Sequence, residues 1–266
     1  VEEITQGPEG RGALLDVLAK LDTYTRGSWR AELDECAGSG RQHVGFLYDK
    51  SRVALSEVGA VAGLNPGNGA CALNLRPGFG AYARFVHGPD LWLVAVHLDS
   101  GVTARDFDHR ALSISRLGGV AAELAARTGD DDLLMLGDFN TMGCKGCEGG
   151  DVSAQDEIAR IDAALHGAAF ARVPMSEGRA CSHYYRGRGG LLDHVVARVG
   201  MRELRAKAET EAHGLCALLG CEPISRRAPQ PALARLSDHC PIVVELEAAD
   251  SDQEITARPP RRATHR

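Results

Sequence analysis

The sequence predicts a mixed α/β chain in which two β-sheets pack together and helices lie outside. Three observations predict it. Apolar runs of strand length are bounded by turn-forming residues. Segments with a helical apolar period are interspersed among those runs. The run over residues 91–98 is apolar at successive positions, which calls for cover on both faces of its sheet.

The elements follow in chain order. Residues 13–21 place Leu14, Leu15, Leu18 and Leu21 on one helix face. Residues 43–49, 52–58, 81–86 and 91–98 read as a run of β-hairpins, with turns at Tyr48-Asp49-Lys50-Ser51 and His87-Gly88-Pro89-Asp90. One long helix is expected over 105–127, carrying Leu112, Leu117, Val120 and Leu124 and weakened at Gly118-Gly119. Residues 133–136 form a second continuously apolar strand. A helix over 153–165 opens with Ser153 and Asp156, close to a capping box, and continues with Ile158, Ile161 and Leu165. Near the end, Ile242, Val244 and Leu246 alternate with Val243 and Glu245, as a strand should. Residues 1–248 read as one domain, and the polar, arginine-rich 249–266 as a disordered tail.

The 266 residues suffice for a sizeable core. A net charge of -6 excludes a protein that coats nucleic acid through overall basicity. It does not exclude an anionic substrate, because a bound cation and a few arginines supply a local positive field. No apolar run approaches the ~20 residues that span a bilayer. The chain starts at Val1, so removal of an upstream segment is expected.

Eight cysteines are present: Cys36, Cys71, Cys144, Cys147, Cys181, Cys216, Cys221 and Cys240. Most fall in loops, where free thiols would oxidise, so disulfides in a secreted or periplasmic protein are expected. A cytoplasmic location stays open, as does a zinc site made from Cys144, Cys147, Cys181 and His183.

Four stretches carry chemistry. Gly137-Asp138-Phe139-Asn140 follows an apolar strand, and on extended chain Asp138 and Asn140 would point together. A carboxylate there suits a hard cation or a water proton, and an amide can donate to a phosphate oxygen. Ser237-Asp238-His239-Cys240-Pro241 precedes the final strand and offers Asp238 and His239 to opposite sides. Asp193, within the apolar Leu192-Asp193-His194-Val195-Val196, is costly to bury unpaired, and His239 is its expected partner. His97 ends the most apolar strand.

Taken in order, His97-Leu98-x-Ser100, Gly137-Asp138-Phe139-Asn140, Leu192-Asp193-His194 and Ser237-Asp238-His239-x-Pro241 resemble the endonuclease/exonuclease/phosphatase superfamily, the DNase I-like proteins. The resemblance runs from the start of the chain to about Leu246. It implies a four-layered α/β (α+β) sandwich: two mainly antiparallel sheets face to face, with helices outside. It also implies hydrolysis of a phosphoester with Mg2+, or with Mn2+ or Ca2+. Carried over by residue, Asp138 would orient or deprotonate the attacking water and Asn140 would hold a phosphate oxygen. His239, paired with Asp193, would stabilise charge on the phosphate. His97 would touch the phosphate or assist the leaving group. Asp238 would bind metal together with Asp138. Val1-Glu2-Glu3-Ile4 resembles the family's metal-binding stretch, which makes Glu3 the ligand and Glu2 the alternative. The family's earlier, Asn-bearing strand has no counterpart, so the first strand is expected to be missing.

Arg186 and Arg188, in Tyr184-Tyr-Arg-Gly-Arg-Gly-Gly190, are expected to bind substrate, with tyrosines available to stack on a base. Arg76 and Arg84 are weaker candidates, and Arg110 reads as structural. The expected activity is a monomeric, secreted nuclease-like phosphodiesterase acting on a phosphoester, nucleic acid included. The alternatives are a phosphatase or phosphodiesterase on a small phosphorylated molecule or lipid head group, a non-catalytic binding module on the same fold, and a zinc-stabilised interaction domain.

Overall fold

The structure, a computed structural model, describes residues 1–5, 7–36, 42–176, 180–205, 207–225 and 237–250. The first half contains β1 (Ile4–Thr5), α1 (Pro8–Thr25), β2 (Trp29–Leu33), β3 (Gln42–His43), β4 (Gly45–Asp49), β5 (Val53–Ala60), β6 (Phe79–Phe85), β7 (Asp90–His97), α2 (Ala104–Ser115) and α3 (Leu117–Thr128). The second half contains β8 (Leu133–Asp138), α4 (Ala154–Gly167), β9 (Phe170–Arg172), β10 (His183–Tyr185), β11 (Arg188–Gly190), β12 (Asp193–Arg198), β13 (Thr210–Ala212), α5 (Leu215–Leu219) and β14 (Ile242–Val244).

A six-stranded sheet, in the order β5-β6-β7-β8-β12-β9, forms the centre. Only β7 and β8 pair in parallel, joined through α2 and α3 as parallel neighbours require. One face presents Trp92, Val94, Val96, Leu133, Met135 and Val196 to α2, α3 and α4, which contribute Ile114, Leu117, Leu124, Ile161 and Leu165. The opposite face presents Leu91, Leu93, Leu134, Leu136 and Val195 to Ile242 and Val244 of β14. Val44 and Phe46 of the β4 region cover Phe79, Ala81 and Ala95 on that same face. Outside this second layer, α1 packs on β1 and β2, so the order is helix, strands, sheet, helices.

The second layer is a set of two-stranded pairs, β1–β3, β2–β4 and β13–β14, rather than one continuous sheet. The expected hairpin run is therefore corrected in part. β5, β6 and β7 are successive antiparallel neighbours, but β4 pairs with β2, so the turn after Asp49 carries the chain from one layer to the other. β2 was not foreseen, although Trp29, Ala31 and Leu33 alternate with Arg30 and Glu32.

The helix expected over 105–127 is two helices. The break falls at Arg116, whose guanidinium bonds the carbonyl of Asn65. Gly118 and Gly119 lie inside α3, Gly118 close against Ala168. α2 starts with a full capping box between Thr103 and Asp106, and α4 is capped by Ser153 through the N–H of Asp156.

All eight cysteines pair: Cys36–Cys71, Cys144–Cys147, Cys181–Cys221 and Cys216–Cys240. The zinc alternative fails on this ground, since each of its three thiols is consumed in a disulfide. Among the described residues no helix is long and apolar enough to cross a membrane. Most of the tail expected over 249–266 lies outside the described residues.

Candidate active site

Strand register builds half of the site. His97 closes β7, Asp138 closes β8 and Asp193 opens β12. His97 pairs across from Asp138, and Asp138 across from Asp193, so the three form one row at the end of the sheet. Their alternation with Leu93, Leu136 and Val195 turns them toward the second layer. Gly137 permits this close approach. Its φ is 134°, and a Cβ there would stand 2.2 Å from the Val96 carbonyl oxygen.

The second layer supplies the other half. The stretch bearing Asp238 and His239 lies beside β10: Tyr184 N–H donates to Asp238 O at 2.7 Å, and Cys240 N–H donates to Ser182 O at 2.7 Å. The Cys216–Cys240 disulfide ties the same stretch to α5. Ser182, fully buried, also accepts the N–H groups of Leu192 and Asp193 on its hydroxyl oxygen, each at 2.9 Å. It thus joins the Asp193 strand to the His239 strand. Nothing in the sequence marked Ser182 for this.

His239 Nδ1 lies 3.0 and 2.9 Å from the two Asp193 carboxylate oxygens, while its Nε2 lies 3.9 Å from Asp138 Oδ2. His97 Nε2 is 3.7 Å from the same Asp138 oxygen, and the buried His97 Nδ1 has no hydrogen-bond partner. Glu2 accepts the Asp138 backbone N–H at 2.7 Å, and its other oxygen is 3.8 Å from His239 Nδ1.

The electrostatics divide the roles. Burial works against a charged His239, but the Asp193 carboxylate bonded to it, with Asp138 and Glu2 nearby, lifts its pKa to about 10. Burial opposes ionisation of Asp193 too, yet its bond to His239 holds it below the ordinary carboxylate value. Asp138 is raised to about 7 by burial and by the charge of Asp193. Glu2 is raised to about 9 by burial and by the same crowd of carboxylates. His97 is pushed down to about 4 by burial and by the charges of Arg76 and His239, so its ring is neutral at pH 7.

Asn140 reaches the site by a turn, not by the extended alternation expected. Phe139 packs into the helix-side core, and Asn140 has a φ of 50°. Its N–H donates to Asp138 Oδ1 at 2.7 Å, and its amide donates to Leu98 O at 2.9 Å. Behind this turn sits Arg110, at 0% exposure. It gives two bonds to Glu157 and one each to the carbonyls of Asp99, Gly101 and Gly143. Glu157 in turn accepts the Gly143 N–H at 2.6 Å.

Among the described residues, two groups of side chains have metal-binding spacing: Glu3 with Asp238 and His239, and Glu2 with Asp193 and His239. Their oxygen-rich donors suit a hard divalent cation, and Glu2, raised first by burial and then by the charge of Asp193, sits in one of the two groups. Arg76, before β6, bonds Gln42 at 3.1 Å, and its buried Nε has no partner. Its charge bears on His97 and Glu3. Arg186 and Arg188 are exposed on the β10–β11 hairpin, with Arg186 lying over the Tyr185 ring. The two arginines lie outside the cluster around Asp138.

No family model and no curated protein matches the chain. Solved structures do. TDP2 of D. rerio in complex with a single-strand DNA product is 15% identical, with 92% of this chain and 84% of that one covered and a TM-score of 0.55. A mannosyl-6-phosphatase of Bacteroides thetaiotaomicron is 15% identical, covering 87% and 81%, with a TM-score of 0.51. An endonuclease/exonuclease/phosphatase family protein from the same bacterium is 13% identical, covering 87% and 77%, with a TM-score of 0.55. Identities this low speak for architecture alone. In architecture, the chain has the DNase I-like fold of the endonuclease/exonuclease/phosphatase superfamily.

Proposed function

We propose that the chain is a divalent-metal-dependent hydrolase of phosphoester bonds, a nuclease-like phosphodiesterase working in an oxidising compartment. The observation that carries this reading is the row His97, Asp138, Asp193 facing His239 across the two layers. A binding module has no need of a carboxylate raised to about 7 with a charged and a neutral imidazole each within 4 Å of it.

In this reading Asp138 orients the attacking water and takes its proton, for which a pKa of about 7 is well placed. His239, held charged by Asp193, donates from Nε2 to a phosphate oxygen and stabilises the charge that builds there. Asn140, its amide fixed by Leu98 O, offers its second N–H to another oxygen. Neutral His97 contacts the phosphate or the leaving oxygen. Arg76, with an unpaired Nε, is a further phosphate contact. Glu3 and Asp238, with Asp138, would hold Mg2+, Mn2+ or Ca2+, which supplies positive charge beside the phosphate. The four disulfides support work outside a reducing cytoplasm. The working unit is taken as residues 1–248, as a monomer.

The TDP2 neighbour with its DNA product supports a nucleic-acid substrate, and the mannosyl-6-phosphatase supports a second reading, a phosphatase of small phosphorylated molecules. A panel of single-stranded DNA, RNA, an aryl phosphodiester and sugar phosphates separates them. Hydrolysis is expected with Mg2+ and not with EDTA. Asp138→Asn and His239→Ala should each lower turnover by about 10²- to 10⁴-fold without loss of fold. Wild-type turnover in either variant, or hydrolysis that resists chelation, would overturn the reading.

A further inference from the structure

The β10–β11 hairpin runs outward from His239, and its exposed side is lined with flat groups. The His183 ring centroid lies 5.3 Å from that of His239. The Tyr185 ring follows 6.5 Å farther on, tilted only 13° from His183. The Arg186 guanidinium is 5.0 Å from the centre of the Tyr185 ring. Alternation along β10 explains the strip. His183 and Tyr185 share one face, while Tyr184 points the other way into a buried cluster with Leu215 and Cys216. Tyr185 is 53% exposed, so part of its ring is open to a ligand.

The hairpin is braced from behind, so the strip is rigid. Ile224 N–H donates to Gly187 O at 2.8 Å, and Tyr184 Oη bonds Glu222 O at 3.2 Å. The Cys181–Cys221 disulfide fixes the base of the hairpin. Gly187, with a φ of 79°, has the Ile224 carbonyl oxygen 2.6 Å from where a Cβ would sit. A rigid aromatic shelf loses little entropy when a second ring settles on it.

We propose that this shelf is a stacking subsite for an unpaired nucleobase attached next to the hydrolysed phosphate, which makes single-stranded nucleic acid the substrate class. The inference rests on the hydrolase reading and narrows it. Tyr185 stacks the base, His183 continues the surface toward the reacting phosphate, and Arg186 and Arg188 meet the neighbouring backbone. A paired base is unavailable to the shelf, because its faces are covered within the duplex. Stacking is indifferent to base identity, so little sequence preference is expected.

The test compares two labelled single-stranded oligodeoxynucleotides of equal length and charge, one with normal bases and one with abasic sites throughout. Affinity is read by fluorescence anisotropy in EDTA, and hydrolysis separately with Mg2+. The wild-type protein should bind the base-bearing strand about tenfold more tightly. Tyr185→Ala should bring that ratio close to one, and Tyr185→Trp should keep it. Equal affinity for the two strands, no binding of either, or a ratio untouched in Tyr185→Ala would overturn the subsite. Base-dependent binding without any cleavage would instead overturn the hydrolase reading and leave the subsite standing.

Discussion

Asp193 holds Nδ1 of His239 with both carboxylate oxygens, at 3.0 and 2.9 Å, and thereby leaves Nε2 turned to Asp138. Asp193→Asn removes the charge and one acceptor while keeping the shape. The imidazole then loses its main reason to stay protonated, and its pKa should fall toward the ordinary value. Turnover should drop by about 10²- to 10⁴-fold. NMR titration of the ring and steady-state rates check both outcomes, and an unshifted imidazole would refute the pairing.

The Arg110–Glu157 pair is buried behind the Asn140 turn. Arg110→Met strands a carboxylate in the interior, and urea unfolding should show a loss of about 3–5 kcal/mol. Adding Glu157→Leu should recover much of that stability. Turnover should stay low in the double variant, because the carbonyls of Asp99, Gly101 and Gly143 remain unanchored. Full recovery of turnover along with stability would show that the pair has no part in placing Asn140.

His194 is buried with its Nε2 3.1 Å from Thr141 Oγ1, and that hydroxyl itself donates to Leu191 O. Burial, with the charge of Arg172, pushes its pKa down to about 3. The unfolded chain therefore binds a proton that the folded chain refuses between about pH 6.5 and 3. This contribution to stability is present above pH 6.5 and is lost as the pH falls, at up to about 1.4 kcal/mol per pH unit. Gln in place of His194 keeps an N–H donor and does not titrate. Denaturant unfolding at pH 7 and pH 5 should show a smaller difference for His194→Gln, and an equal difference would refute the assignment.

The legible part of the sequence was the part written in local pattern. Continuous apolar runs gave β7 and β8 within one or two residues of their bounds, because strands covered on both faces admit few polar residues. Motif order singled out His97, Asp138, Asp193 and His239, and for the first three the meeting needs only strand ends and register. What escaped depended on distant partners. The break at Arg116 coincides with its bond to the carbonyl of Asn65, and the glycine pair that looked like the weak point lies inside α3, with Gly118 close against Ala168. The position of Asn140 depends on a turn, which alternation along a strand cannot foresee. Ser182 and Arg76 gained their places through contacts 10 to 34 residues away, and nothing near them in sequence announces it. Glu2 and Glu3 both border the site, Glu2 on the Asp138 N–H and Glu3 beside Asp238, and each belongs to a group with metal-binding spacing.

The two sides of the candidate site have different origins. His97, Asp138 and Asp193 are delivered by sheet pairing, which forms with no covalent help. His239 arrives on a segment sewn to α5 through Cys240 and braced by a hairpin sewn through Cys181. Maturation should accordingly separate into two stages, a scaffold that folds first and an imidazole that docks only after oxidation. Kept reduced, the chain should hold its central sheet and a silent site, and the arrival of an oxidant would then act as its starting signal.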